Sequence, residues 1–163
     1  MNKFWTIKNE ADSDTVELLI YGQIADRSWF GDEATPKQFA DDINACNGKD
    51  ILLRSNSPGG DIFAAQAMDN VLKSYKGTVT AHIDGLCASA ATVVACGAEN
   101  VVMPRNALYM IHNPMAVVID QLDARALTKM AETMDKVKET IVSVYASKAG
   151  DKSSEDEIKQ LMD

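Results

Sequence analysis

Apolar and polar residues alternate along this chain with a period that switches between two and roughly 3.6, and the switches mark out its elements. Val16-Glu17-Leu18-Leu19-Ile20-Tyr21 is rich in β-forming residues and stops at Gly22, which predicts a strand. Thr35-Pro36 opens a helix, with threonine as N-cap, proline in the first turn, and Phe39, Ile43 and Cys46 on one face. Asp50-Ile51-Leu52-Leu53-Arg54-Ser55 predicts a buried strand that Pro58-Gly59-Gly60 terminates. Ile62, Ala65, Met68, Val71 and Leu72 then recur at helical spacing. Thr78 to Ile83 predicts a third strand, ended by Asp84-Gly85. Ala88 to Cys96 is small and apolar on all sides, the pattern of a fully buried helix. Val101-Val102-Met103 and Ala107 to Ile111 predict two short strands around a Pro104-Arg105-Asn106 turn. Strands alternating with helices imply βαβ crossovers and a largely parallel sheet, an α/β fold.

One long amphipathic helix is predicted from Gln121 to Lys148. Leu122, Ala126, Met130, Met134, Val137, Ile141 and Val144 hold an apolar stripe against Lys, Glu and Asp. At roughly 1.5 Å per residue it spans about 40 Å, more than a small domain needs, so its apolar side calls for a partner. A short helix over Ser153 to Met162 follows. The length of 163 residues, 46% of them hydrophobic, fits a single domain over 1–163.

Composition narrows the function. A net charge of -8, spread over Asp41-Asp42 and the C-terminal helices, argues against a nucleic-acid surface. Cys46, Cys87 and Cys96 lack metal-ligand spacing and leave one thiol unpaired, which points to buried thiols in a reducing cytoplasm. The longest apolar run, Leu86 to Ala98, is too short to span a bilayer, and the N-terminus shows no secretory signal. There is no Walker-type loop, so ATP is not bound by that route. No cofactor and no metal are expected.

The candidate chemistry lies in three motifs: Ser57-Pro58-Gly59-Gly60, Gly85-Leu86-Cys87-Ala88-Ser89-Ala90-Ala91, and Met110-Ile111-His112-Asn113-Pro114. They offer a hydroxyl nucleophile, Ser89, opening an apolar helix; a histidine base, His112, ending a strand; and a double glycine with free amide groups. Acyl transfer needs an attacking oxygen, a base for its proton and donors for the oxyanion. Taken alone, Ser89 reads as a small packing residue and His112 as a strand-end histidine. Together they read as a serine peptidase. The other histidine, His82, sits mid-strand and reads as structural.

The order and spacing of these motifs resemble the Clp protease proteolytic subunit family, from about Gly22 to Asp163. Within it the chain is most similar to the compact phage and prophage head-maturation proteases, on its short N-terminus and the Trp29-Phe30-Gly31-Asp32-Glu33-Ala34-Thr35 opening. The resemblance implies a ClpP/crotonase-like spiral of βαβ units, with the helix of 121–148 as a protruding handle that pairs subunits across stacked rings. It implies Gly60 and Ala90 as oxyanion-hole donors. It implies that Asp61-Ile62-Phe63 and Met115-Ala116-Val117, read as extended segments, flank the substrate peptide. It also points to an acidic third triad member near Asp163, at whose position the chain stops, as if truncated at the C-terminus. Asp163, a residue beyond it, or none remain open for that role.

The expected function is therefore a cytoplasmic, homo-oligomeric serine endopeptidase acting on protein and peptide substrates, in capsid or scaffold processing. The family's ATPase chaperone partner is in doubt because the N-terminal segment is short. No nucleic acid or membrane partner is expected. Two rivals stand beside it: a crotonase-like acyl-CoA enzyme, which shares the spiral and the oxyanion logic, and a non-enzymatic ring protein that kept the fold.

Overall fold

The structure, a computed structural model, describes residues 3–25 and 35–163. It divides into two compact units, the first running to Met110 and the second covering Ile111–Asp163. The segment from Trp29 to Ala34, which carries part of the head-maturation resemblance, lies outside the described residues.

The first unit is built on a six-stranded sheet of β1 (Trp5–Lys8), β2 (Thr15–Tyr21), β3 (Asp50–Ser57), β4 (Val79–Ala88), β5 (Asn100–Val102) and β6 (Leu108–Met110). The strands lie in the order β1-β2-β3-β4-β5, with β6 also on β4, and every pairing but β1–β2 is parallel. Between them run helices α1 (Pro36–Asn44), α2 (Ile62–Lys73) and α3 (Ala90–Cys96). Because β2, β3, β4 and β5 step across the sheet in one direction, right-handed crossovers bring all three helices to one face. The core lies under them. Val16, Leu18, Ile20, Ile51, Leu53, Val79, Ala81 and Ile83 alternate into it and meet Phe39, Ile43, Met68, Leu72, Val93 and Val94.

The local signals account for most of these elements. Thr35 caps α1 in a capping box with Gln38, and Pro36 fills the first turn. Every residue of α3 is buried, as its all-round apolar pattern requires. Two readings are corrected. β4 does not stop at Asp84-Gly85; it continues to Ala88 through an irregularity. Ser55 pairs with Ile83 and Ser57 with Cys87, so Asp84, Gly85 and Leu86 lie against Asn56 alone. The Asn56 side chain repairs the ladder there, its Oδ1 accepting from the Leu86 N–H at 3.0 Å. The second correction is β1, an antiparallel edge strand absent from the expectation.

The opposite face of the sheet carries a polar cluster. Asp84 accepts from Arg54 Nε at 2.9 Å, from Arg54 Nη2 at 2.6 Å and from the Tyr21 hydroxyl at 2.5 Å. His82 Nδ1 lies 3.0 Å from the same carboxylate, and Glu17 bridges Lys8 and Arg54. His82 is thus the structural histidine that its mid-strand position suggested.

The second unit holds α4 (Ala124–Ala149) and α5 (Glu155–Met162), which pack on one another. Asp123 caps α4, accepting from the Ala126 N–H, so the long helix starts three residues later than Gln121. Its apolar stripe divides in two. Ile141, Val142 and Tyr145 are buried, whereas Leu127 is 53% exposed and Met130 and Met134 are only half-buried. Among the described residues no helix is long and apolar enough to cross a membrane.

Candidate active site

Ser89 sits on the turn where β4 ends and α3 begins. Its backbone has φ 55° and ψ -130°, a left-handed conformation that a non-glycine residue adopts only when its surroundings enforce it, at about 1–3 kcal/mol. The enforcement is visible on both sides. The Ser89 N–H donates to the Met110 carbonyl at 2.8 Å, which extends the β4–β6 ladder by one residue. The Ser89 carbonyl accepts from the Thr92 N–H at 2.9 Å and from the Thr92 hydroxyl at 2.5 Å. The side chain makes no capping bond to α3. This is a strand–turn–helix elbow, the arrangement that lifts a nucleophilic serine clear of a sheet.

The glycine turn at the end of β3 lies directly against that elbow. A Cβ on Gly59 would stand 2.5 Å from the Ala88 carbonyl oxygen, 2.7 Å from Ser89 Cβ and 2.8 Å from the Ala90 nitrogen. A Cβ on Gly60 would stand 2.0 Å from the Ile24 carbonyl oxygen. The two glycines therefore serve different contacts, the first with the elbow and the second with the segment leaving β2. With φ of 91° and 146°, both also adopt backbone conformations that disfavour a side chain.

Among the described residues, hydrogen bonds leave two amides unspent. Ile24 pairs with the turn as an isolated parallel bridge, its N–H donating to the Gly59 carbonyl at 2.8 Å and its carbonyl accepting from the Asp61 N–H at 2.9 Å. That pattern uses the groups on either side of Gly60. Among the described residues no group accepts from the Gly60 N–H. The Ala90 N–H, in the first position of α3, has no carbonyl within the helix to reach. Both candidate oxyanion donors thus belong to segments that meet at the elbow.

Other candidates are placed as follows. Asp61 caps α2, accepting from the Ala64 N–H at 2.8 Å, and Ile62 and Phe63 form the first helical turn. Asp61 keeps the extended backbone that was expected, but the reading of Ile62 and Phe63 as extended is corrected, because the capping carboxylate starts the helix immediately after it. Phe63 nevertheless points outward, 61% exposed. Met115, Ala116 and Val117 form no regular element, and Met115 and Val117 are 79% and 89% exposed.

His112 lies in the second unit, half-buried, two residues after the strand end that holds Ser89. In the same unit the Asp163 carboxylate accepts from Asn113 Nδ2 at 2.6 Å and from Lys138 Nζ at 3.1 Å. These contacts, Asn113 foremost, hold its carboxyl below the ordinary range. The Asn113 N–H also donates to the Met162 carbonyl at 3.0 Å, which ties the residue after His112 to the end of α5. Asn113 escaped the sequence reading; its place between a histidine and a proline was the only signal. Among the described residues no cluster of His, Cys, Asp or Glu forms a metal site.

Comparison with known proteins identifies the lineage. The Clp protease family model matches residues 39–163. The ATP-dependent Clp protease proteolytic subunit of Leuconostoc citreum is 30% identical over 100 residues, covering 60% of this chain and 50% of the relative. That of Streptococcus agalactiae is 31% identical over 107 residues, covering 64% and 54%. The chain spans about half the length of the curated relatives it matches. Among solved structures, a ClpP1 mutant from Listeria monocytogenes superposes with a TM-score of 0.73 at 24% identity, covering 90% of this chain and 78% of that one. That likeness shows the α/β fold with its mostly parallel sheet and long helix. A family match over most of the chain, joined to this fold, makes the protein a member of the Clp protease family.

Proposed function

We propose that this chain is a serine endopeptidase that hydrolyses peptide bonds through an acyl-enzyme on Ser89. The observation that carries the reading is the strained elbow at Ser89 with the Gly59-Gly60 turn packed on it. A serine held at positive φ against a turn whose central amide is unspent suits attack on a carbonyl better than helix packing, which would not need the strain. In this reading His112 takes the Ser89 proton and returns it to the leaving amine, while the N–H groups of Gly60 and Ala90 receive the oxyanion. Asp163 is the proposed third member, orienting the imidazole. Phe63 and the exposed Met115-Ala116-Val117 segment, with Asp61 and Ile62, flank the substrate peptide. Exposed backbone along 115–117 suits main-chain pairing with an extended peptide, which gives broad specificity.

The working form is a homo-oligomeric ring, double if the exposed half of α4 pairs two rings. Its setting is the cytoplasm and its role head maturation, with scaffold or capsid protein as substrate; the support is the resemblance of the Trp29 to Thr35 opening. An ATPase partner is not required by this reading. Labelling with an alkyl fluorophosphonate, followed by peptide mapping, tests it. A covalent adduct on Ser89, lost in Ser89→Ala and His112→Ala, is expected. A native chain that takes no label refutes the peptidase and favours an acyl-CoA enzyme or a ring protein without activity.

A further inference from the structure

We propose that Ser57 is a positioning residue that holds the Gly60 N–H in line for the oxyanion, a role that rests on the reading of Ser89 as nucleophile. Ser57 is fully buried at the end of β3. Its hydroxyl donates to the Gly22 carbonyl at 2.6 Å and accepts from the Gly59 N–H at 3.1 Å. A hydroxyl is a donor and an acceptor at once, so this side chain joins the exit of β2 to the first amide of the glycine turn. Ile24 holds the Gly59 carbonyl and the Asp61 N–H. With Ser57 on the Gly59 N–H, the groups flanking Gly60 are engaged before and after it, and among the described residues no group accepts from the Gly60 N–H.

The position of the turn matters because nothing separates it from the nucleophile. The site of a Gly59 Cβ is within 2.8 Å of Ala88, Ser89 and Ala90. Removing the hydroxyl would leave the buried Gly59 N–H without its acceptor, and the peptide would turn to find another. The Gly60 N–H shares a planar peptide with the Gly59 carbonyl that Ile24 holds at 2.8 Å, so a rotation that pulls on that bond shifts the Gly60 amide relative to Ser89. Catalysis is steeply sensitive to displacements of this kind, a misplacement of about 1 Å costing about a hundredfold.

The test compares the native chain with Ser57→Ala and Ser57→Cys in reaction with an alkyl fluorophosphonate. Ser89 Oγ bonds to phosphorus as fluoride leaves, and the hydroxyl proton passes to His112. The maximal labelling rate of Ser57→Ala should fall about tenfold or more, with reagent affinity held within about threefold. The shape of the pH profile should not change, since the base is untouched, and the fraction labelled at completion should match the native chain. Ser57→Cys, with a weaker donor and acceptor, should fall between. A purely structural role would lower the melting temperature and the completed fraction while leaving the rate per folded site alone. A rate per folded site within about twofold of native in Ser57→Ala overturns the proposal. Should Ser57→Ala not fold, Ser57→Cys decides by the same criterion. A native chain that takes no label at Ser89 refutes the nucleophile itself, and the role of Ser57 falls with it.

Discussion

Replacing Asp84 with asparagine removes the charge at the centre of the polar cluster on the open face of the sheet. Asp84 receives both arms of the Arg54 fork and the Tyr21 hydroxyl, with His82 at 3.0 Å. These donors, Arg54 foremost, hold its carboxyl at about 2, against an ordinary value of 3.8. The difference, 3.8 less about 2, corresponds at 1.36 kcal/mol per pKa unit to about 2.4 kcal/mol of native-state stabilisation. Arg54 is still 38% exposed, so solvent screening brings the expected contribution down to about 1–2 kcal/mol. Because the folded-state pKa is depressed, the stabilisation is fully present above 3.8 and is lost as the pH falls through about 2. Urea denaturation followed by tryptophan fluorescence should therefore find Asp84→Asn less stable by that amount at pH 7, with the gap closing between pH 4 and pH 2. Asparagine keeps an acceptor oxygen for one Arg54 N–H, so the register of β3 and β4 should survive. A gap of equal size at pH 7 and pH 2.5, or none at pH 7, would refute the electrostatic account.

The elbow gives a pair of opposed outcomes. Ser89→Ala should abolish cleavage of casein and of a fluorogenic peptide, and Ser89→Gly should do the same while exceeding Ser89→Ala in stability by about 1 kcal/mol, since glycine relieves the positive φ; equal melting temperatures would argue against strain. Gly59→Ala and Gly60→Ala should each cost about 3 kcal/mol or more, because the new methyl meets backbone in both cases, and thermal melts will read it. Glutamates at Leu127, Met130 and Met134 should shrink the species seen in sedimentation without unfolding the chain, as those positions are exposed or half-buried. A native chain that is itself a monomer at tens of micromolar would end the proposal that α4 pairs subunits.

Much of the fold was legible because its signals are local. Thr35 and Gln38 make a capping box with Pro36 in the first turn between them, and the all-apolar stretch before Cys96 allows only a buried helix. Asp84-Gly85 misled because glycine after aspartate is a stop when neighbours are unknown; here Asn56, 30 residues away from Leu86, supplies the missing acceptor and the strand runs on. β1 escaped because four residues of alternation, Trp5 and Ile7 against Thr6 and Lys8, are too few to outweigh chance. The apolar stripe of α4 was visible as one feature, yet its periodicity carried no information on which turns are buried and which are bare. In the candidate site, residue types and intervals drew attention to Ser89, His112 and Gly60. The strain at Ser89, the tie from Ser57 and the Asn113–Asp163 contact depend on separations across the fold that no spacing encodes.

The three cysteines carry a practical consequence. All are buried thiols, burial pushes the Cys46 thiol up, and Cys87, two residues before Ser89, is pushed up to about 12. At neutral pH neither Cys46 nor Cys87 offers an appreciable thiolate to an alkylating reagent, since it is the thiolate that reacts. Cys96 is also buried, at 4% exposure, so all three thiols of the folded chain react slowly with maleimides. A single cysteine introduced at an exposed position such as Leu161 could carry a fluorophore or a cross-linker without first stripping the native thiols from the core.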